Sequence, residues 1–313
     1  MLIYLQRNYD FPDLLRQTPN NSGKWGDLNF TFDNPGECDY VVVLNHPRKD
    51  IHVKCRKSGR LLIIQEPPDL KNNYFKMYFP FFDRIICGFD KKYSSSIINT
   101  QASLPWHVGK TYDELSVLKF DEKIKKNKVS WITSNNNIFP QHKVRLDFID
   151  YMKKKEYDFD LFGRGFNPIA DKFDGIHPYK YTIAAENYIG PNYFTEKIVD
   201  AYLSWTMPIY SGSPNIADYF PPESLIQIDL SAPDEAFDKI RHAVENKLWD
   251  KNIEAIRYAR ELILNKYQLF PAISDTISKM EGSNVYQKIL IPADGLTKFE
   301  KMKKSIKIIL GKN

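Results

Sequence analysis

The sequence predicts an α/β protein of two domains with a cleft between them, on three observations. Its 313 residues are more than one core of ordinary size organises. Short apolar runs bounded by Pro, Gly, Asn and Asp recur through the first half. In the second half apolar runs alternate with helical spacing, the pattern of a parallel sheet wound on both faces.

In chain order, the runs Leu2 to Leu5, Tyr40 to Leu44, Leu61 to Ile64 and Arg84 to Cys87 read as buried parallel strands, being nearly continuous rather than alternating. The stretch Thr111 to Lys128 is charged, holds no sustained apolar pattern, and is expected to link the two domains. Beyond it the pattern predicts a strand at Val129 to Thr133 and a helix of about fifteen residues from Pro140. Strands follow at Phe159 to Phe162 and Tyr181 to Ala185, then a helix at Thr195 to Trp205 and a strand at Met207 to Tyr210. Such a sheet has its ligand crevice at the carboxyl ends of its strands. Pro233 to Asn246 and Leu248 to Glu281 carry helical spacing, interrupted near Pro271. The expected domains are residues 1–120 and 121–285, followed by a tail at 286–313.

The net charge is +5 with 27% charged residues, and the signs are interspersed until the tail. Without a basic stripe interleaved with aromatics, a nucleic-acid partner is not expected. A few cations in a cleft still focus a field suited to a diphosphate. Cys38, Cys55 and Cys87 stand at wide spacings that fit neither a disulfide framework nor a zinc site. The apolar run within Met1 to Arg7 is too short for a signal peptide, and no run reaches the ~20 apolar residues that span a bilayer, so a cytoplasmic chain is expected. In the tail, Leu296, Phe299, Met302, Ile306 and Ile309 fall at helical spacing with six lysines between Lys298 and Lys312. Such a helix either lies on an anionic membrane surface, giving peripheral contact through 296–313, or packs on the domain with its lysines in solvent.

The residues that carry chemistry cluster after the predicted strand Tyr181 to Ala185. Glu186 and Asn187 stand at its tip, and Asn192-Tyr-Phe-Thr-Glu-Lys197 opens the next helix with Thr195 as N-cap. A helix N-terminus offers free N–H groups and the positive end of a dipole, so phosphate is its natural ligand. Glu196 suits that dipole, whereas Lys197 opposes it and calls for a reason. Strand-loop-helix units with polar tips are common, so spacing alone leaves a plain structural reading open.

The specific residues go further. Tyr181 to Gly212, with Ala201-Tyr-Leu-Ser-Trp-Thr-Met-Pro-Ile-Tyr-Ser-Gly-Ser-Pro214 and Tyr219-Phe-Pro-Pro-Glu-Ser224, resembles the glycosyltransferase family 10 enzymes, the α-1,3/4-fucosyltransferases. Their signature is a Phe-Glu-Asn-Ser tetrad followed by Tyr-Val-Thr-Glu-Lys. Here Ala185 and Tyr188 replace the Phe and the Ser, a departure beside the sugar pocket that leaves the sugar's identity open. Ser130-Trp-Ile-Thr-Ser-Asn135 is similar to a family strand ending in Ser-Asn, and Arg145 falls where the family places an arginine. A guanidinium fork suits phosphate oxygens, although a helical arginine can equally be a solvated one. Leu61-Leu-Ile-Ile-Gln-Glu-Pro-Pro68 resembles the family's Glu-x-Pro element, with Glu66 held by two prolines or simply capping the next turn.

The resemblance implies a GT-B architecture of two Rossmann-like domains facing a cleft. It implies inverting transfer of L-fucose from GDP-fucose to a hydroxyl of an oligosaccharide or glycoconjugate acceptor, in an α-1,3 linkage to a GlcNAc- or Glc-containing glycan. Glu66 would be the base. Arg145, Lys197 and the helix end at Thr195 would stabilise the departing diphosphate, Tyr193 and Glu196 would hold the nucleotide, and Glu186 and Asn187 would lie near the sugar. No cofactor is then required and a divalent metal is at most stimulatory. The alternatives are the same fold on another nucleotide sugar, or an inactive sugar-nucleotide or glycan-binding protein. Asp158-Phe-Asp160 has the look of a metal-binding Asp-x-Asp, but it stands at a strand's entry, the wrong end for a ligand site.

Overall fold

The computed structural model describes residues 1–69, 71–138, 140–280 and 283–296. They form two compact units. One holds residues 1–13, 23–102 and the described residues from 273 to 296, and the other holds 14–22 and 103–272.

The first unit is built on a seven-stranded sheet in the order Lys24–Trp25, Leu28–Thr31, Leu2–Arg7, Tyr40–Leu44, Arg60–Ile63, Arg84–Ile86, Ile97–Ile98. All its pairings are parallel except the antiparallel Lys24–Trp25 with Leu28–Thr31. The four apolar runs are its central strands, and every residue of Tyr40–Leu44 is buried. A smaller sheet joins Glu37–Cys38, Ile51–Arg56 and Tyr286–Ile291. Ile51–Arg56 alternates buried Ile51, Val53 and Cys55 with outward His52, Lys54 and Arg56, a half-buried pattern that a search for continuous apolar runs passes over. The strand Tyr286–Ile291 runs antiparallel to it, so residues 286–291 of the expected tail belong to a sheet. The basic segment from residue 297 on lies outside the described residues. The three cysteines are buried free thiols.

The second unit carries a five-stranded parallel sheet in the order Phe159–Phe162, Lys126–Ile132, Tyr179–Ala185, Met207–Ser211, Ile226–Gln227. Pro140–Lys154 and Glu196–Leu203 are the crossover helices that matter for the site. The expected linker, Thr111 to Lys128, belongs to this unit. It contains a helix at Tyr112–Val117, closed at its start by a reciprocal Thr111–Glu114 capping box and anchored by the buried Leu115. One apolar anchor in six residues leaves no periodicity to read. The helical region beyond Leu248 breaks at Gln268 before Leu269–Ser278, where Pro271 sits in the first turn and costs no helical hydrogen bond.

Candidate functional site

The order of the second sheet reverses at one place. From Lys126–Ile132 the chain lays Phe159–Phe162 on one side and then Tyr179–Ala185 on the other. At such a switch point the crossovers diverge and leave a crevice beyond the carboxyl ends of the strands, where open α/β sheets bind ligands. Seven of the eight predicted side chains stand at this edge, while Glu66 belongs to the first unit.

Arg145 comes from the crossover that follows Lys126–Ile132, and Asn187 from the tip of the next strand. Arg145 Nη1 donates to Asn187 Oδ1 at 2.5 Å, so the pair bridges the switch point. Arg145 is only 6% exposed, and its buried Nε has no hydrogen-bond partner among the described residues. Burial holds the guanidinium below its usual range, opposed by Glu186. His142, one turn before it, is buried and accepts the Ile138 N–H at Nδ1. Burial, then the charges of Arg145 and Lys197, lower its imidazole.

Glu186 is the pivot. Its side chain is 0% exposed. Oε1 accepts the Thr195 N–H at 2.8 Å, and Oε2 accepts the Thr195 hydroxyl at 2.7 Å and the Lys197 ammonium at 3.1 Å. Burial raises its carboxyl and Lys197 opposes the rise. Glu186, expected near the sugar, stands sealed beneath the helix start in a supporting position, while Asn187 beside it is exposed. This also supplies the reason Lys197 called for. Burial works against its ammonium, yet Glu186 and Glu196 outweigh that and hold it raised.

Thr195 is the N-cap of Glu196–Leu203, its hydroxyl accepting from the Lys197 N–H. The cap leaves the helix start among Glu196, Lys197 and Tyr193. Tyr193 presents its ring edge-on to Tyr188 at 5.4 Å, and its carbonyl accepts from Tyr210 Oη at 3.4 Å. Tyr188 thus fills space at Tyr193 and at Gly190, whose added Cβ would stand 2.3 Å from the Tyr188 ring. Asn192, at φ +62, fixes the loop, with its Oδ1 accepting from Asn215 and Tyr219 at 2.8 Å each. Gly212 has to be glycine, because a Cβ there would lie 2.2 Å from Tyr210 Oη and 2.7 Å from Glu186 Cγ.

Glu196 faces a set of which the sequence marked only Lys197. Its Oε1 lies 3.4 Å from Lys172 Nζ, 3.5 Å from Lys197 Nζ and 3.9 Å from His107 Nδ1. Although burial opposes ionisation, Lys197 and Lys172 hold its carboxyl well below the usual range. Asp200 follows one helical turn later and is 1% exposed. Two like charges a turn apart on one face was the readable signal, since such a pair demands a cation. His107 has the buried Trp106 before it and its ring beside Glu196 and Lys172.

Glu66 stands three residues beyond the strand Arg60–Ile63 of the first unit as an exposed side chain. Desolvation, and then Asp69, raise its carboxyl. Asp158 and Asp160 share Lys128, at 2.5 and 2.9 Å, and Asp160 also accepts from Tyr179 Oη at 2.6 Å, so this Asp-x-Asp already has its counter-charge. A groove of about 790 Å³ lies by Lys128, Asp158 and Asp234 at the opposite edge of the sheet from these seven residues. Among the described residues no helix is long and apolar enough to cross a membrane.

Part of the chain is similar in sequence to known proteins. Residues 122–247 match the model of glycosyltransferase family 10 (fucosyltransferase), C-terminal part. That matched stretch holds all seven residues. An α-(1,3)-fucosyltransferase, FucT, of Helicobacter pylori is 42% identical over 84 residues, covering 26% of this chain and 17% of that protein. The chain therefore spans about a sixth of that relative's length. A crystal structure of α1,3-fucosyltransferase with GDP-fucose is 20% identical, covering 100% of this chain and 90% of that one, with a TM-score of 0.48. An α-glucosyltransferase in complex with UDP and a mismatched 13-mer DNA is 12% identical, with a TM-score of 0.54 over 89% of this chain and 99% of that one. The last likeness concerns the fold, which is of the GT-B class with two Rossmann-like domains.

Proposed function

We propose that the chain is an inverting glycosyltransferase that moves L-fucose from GDP-fucose to a hydroxyl of a GlcNAc- or Glc-containing glycan in α-1,3 linkage. One observation carries the reading. At the switch point of a parallel sheet, a capped helix N-terminus, the Lys197 ammonium and a buried arginine with an unpartnered Nε stand together. A departing diphosphate gathers negative charge, and fixed cations and N–H groups meet it without reorganising. The reading therefore needs no metal ion. Glu196 and Tyr193 hold the nucleotide, Asn187 lies toward the sugar, and Glu186 keeps Thr195 and Lys197 in place.

Inversion needs a base on the face opposite the leaving group. Glu66 takes the acceptor's proton in this scheme, and its raised carboxyl makes it a stronger proton acceptor than an ordinary carboxylate. Replacing Glu66 by Gln should abolish transfer and leave GDP affinity nearly intact, whereas Arg145→Ala and Lys197→Ala should each weaken GDP by about tenfold or more in calorimetry. Wild-type turnover in the first variant removes Glu66 from the mechanism, and wild-type affinity in the other two puts the phosphate site elsewhere.

A second reading is favoured by Ala185 and Tyr188. The strand tip lacks the family's phenylalanine, and Tyr188 packs on Tyr193 and Gly190, so the pocket's wall differs and another GDP-sugar is the alternative donor.

A further inference from the structure

We propose that Lys172 is a positioning residue of the nucleotide site, fixing the Glu196 carboxylate from between Glu196 and Asp200. The proposal rests on the reading of Glu196 as the nucleotide-holding carboxylate. It is carried by the geometry of a set of groups with little freedom of their own.

Asp200 is committed first. Its Oδ1 accepts the backbone N–H of His107 at 2.8 Å and of Val108 at 3.2 Å. Its Oδ2 is buried beyond hydrogen-bond reach of any described group, with Lys172 Nζ at 3.6 Å as its ion-pair partner. Lys172 opens the short helix Lys172–Ile176, whose N-cap Asp171 also accepts the Gly109 N–H at 2.8 Å. Residues 107–109 are thus tied to the Asp200 helix at one end and to the Lys172 helix at the other. The cation is delivered to its place by backbone bonds, not by a flexible surface loop.

Glu196 and Asp200 lie on one face of one helix and would repel without a cation between them. Lys197 cannot serve both, since it is engaged with Glu186 and Thr195 at 3.1 and 2.9 Å and reaches Glu196 only at 3.5 Å. Lys172 reaches Glu196 Oε1 at 3.4 Å and Asp200 Oδ2 at 3.6 Å, which makes it the shared counter-charge. His107 closes the set. An ammonium only donates, so its approach to His107 Nδ1 at 3.4 Å assigns that nitrogen as acceptor of a neutral imidazole. Oε1 of Glu196 is thereby turned toward Lys172, and the direction of the other oxygen is set.

A residue that acts through Glu196 must lose its effect when Glu196 is gone. Calorimetric titration of the full chain with GDP compares wild type, Lys172→Met, Lys172→Gln, Lys172→Arg, Glu196→Gln and the double variant Lys172→Met/Glu196→Gln. Lys172→Met and Lys172→Gln should bind about tenfold more weakly, Lys172→Arg within about threefold of wild type, and the double variant within about twofold of Glu196→Gln alone. A Lys172→Met or Lys172→Gln protein that binds as wild type overturns the proposal. So does a double variant whose loss is the product of the two single losses. A wild-type chain that binds no GDP instead overturns the nucleotide reading beneath it.

Discussion

At the residue scale the site depends on carboxylates doing different work at one strand tip and along one helical turn. Glu186 is sealed beneath the helix start, Glu196 is ionised among cations, and Asp200 is buried with one oxygen on backbone N–H groups. Burial pushes the Asp200 carboxyl up to about 6, with Lys172 opposing and Glu196 adding to the rise. An aspartate whose folded value exceeds its ordinary one binds its proton more tightly when folded. Its contribution to stability is therefore fully present at acid pH and is lost as pH rises from about 4 to about 6. Asp200→Asn keeps an oxygen for the His107 and Val108 N–H groups and removes the titration. Compared by urea unfolding at pH 4 and pH 7, the variant should gain on wild type by a few kcal/mol at the higher pH. An unchanged difference between the two pH values would mean Asp200 does not titrate in that window.

At the element scale the helix Glu196–Leu203 is held at both ends by its neighbours. Glu186 and Thr195 fix its start. At its end Lys125, itself 7% exposed, donates to the Ser204 carbonyl at 2.7 Å, to Thr206 Oγ1 at 3.1 Å and to the Tyr179 carbonyl at 3.3 Å. A cation suits the negative end of the helix dipole. Removing it with Lys125→Met leaves buried acceptors without their donor, and should cost about 1–3 kcal/mol in chemical unfolding. A variant as stable as wild type would show that water replaces the ammonium freely.

The central elements were legible because burial on both faces writes itself as an apolar run. Tyr40–Leu44 and Phe159–Phe162 fall where the runs fall, and the crossover helix Pro140–Lys154 starts at its proline. Edges were less legible. Ile51–Arg56 alternates, and Tyr286–Ile291 is half exposed and finds its partner some 230 residues away, a pairing no local pattern records. In the site, Thr195 was readable as a cap, but the burial of Glu186 was not, because the sequence cannot tell a carboxylate facing a crevice from one tucked under a helix. Lys172 was illegible for a similar reason: its partners come from other segments of the chain.

At the scale of the whole molecule, two Rossmann-like units divide the proposed work. The second brings together the groups that would meet a nucleoside diphosphate, and the first holds Glu66, the proposed base, three residues beyond a buried strand and braced by Pro67 and Pro68. In the proposed reading Ala185 and Tyr188 would flank the sugar and leave the groups that meet the phosphates unchanged, so the nucleotide is the part of the assignment to test first. The most direct measurement is a thermal-shift comparison of GDP-fucose with UDP-, ADP- and CMP-sugars on the full chain. A ligand that binds only the folded state at about a hundredfold over its dissociation constant stabilises by about 2.7 kcal/mol, enough to move the midpoint by several degrees. The account predicts that shift with GDP-fucose and not with the other nucleotides. A shift with a UDP-, ADP- or CMP-sugar alone, or none with GDP-fucose, would contradict it.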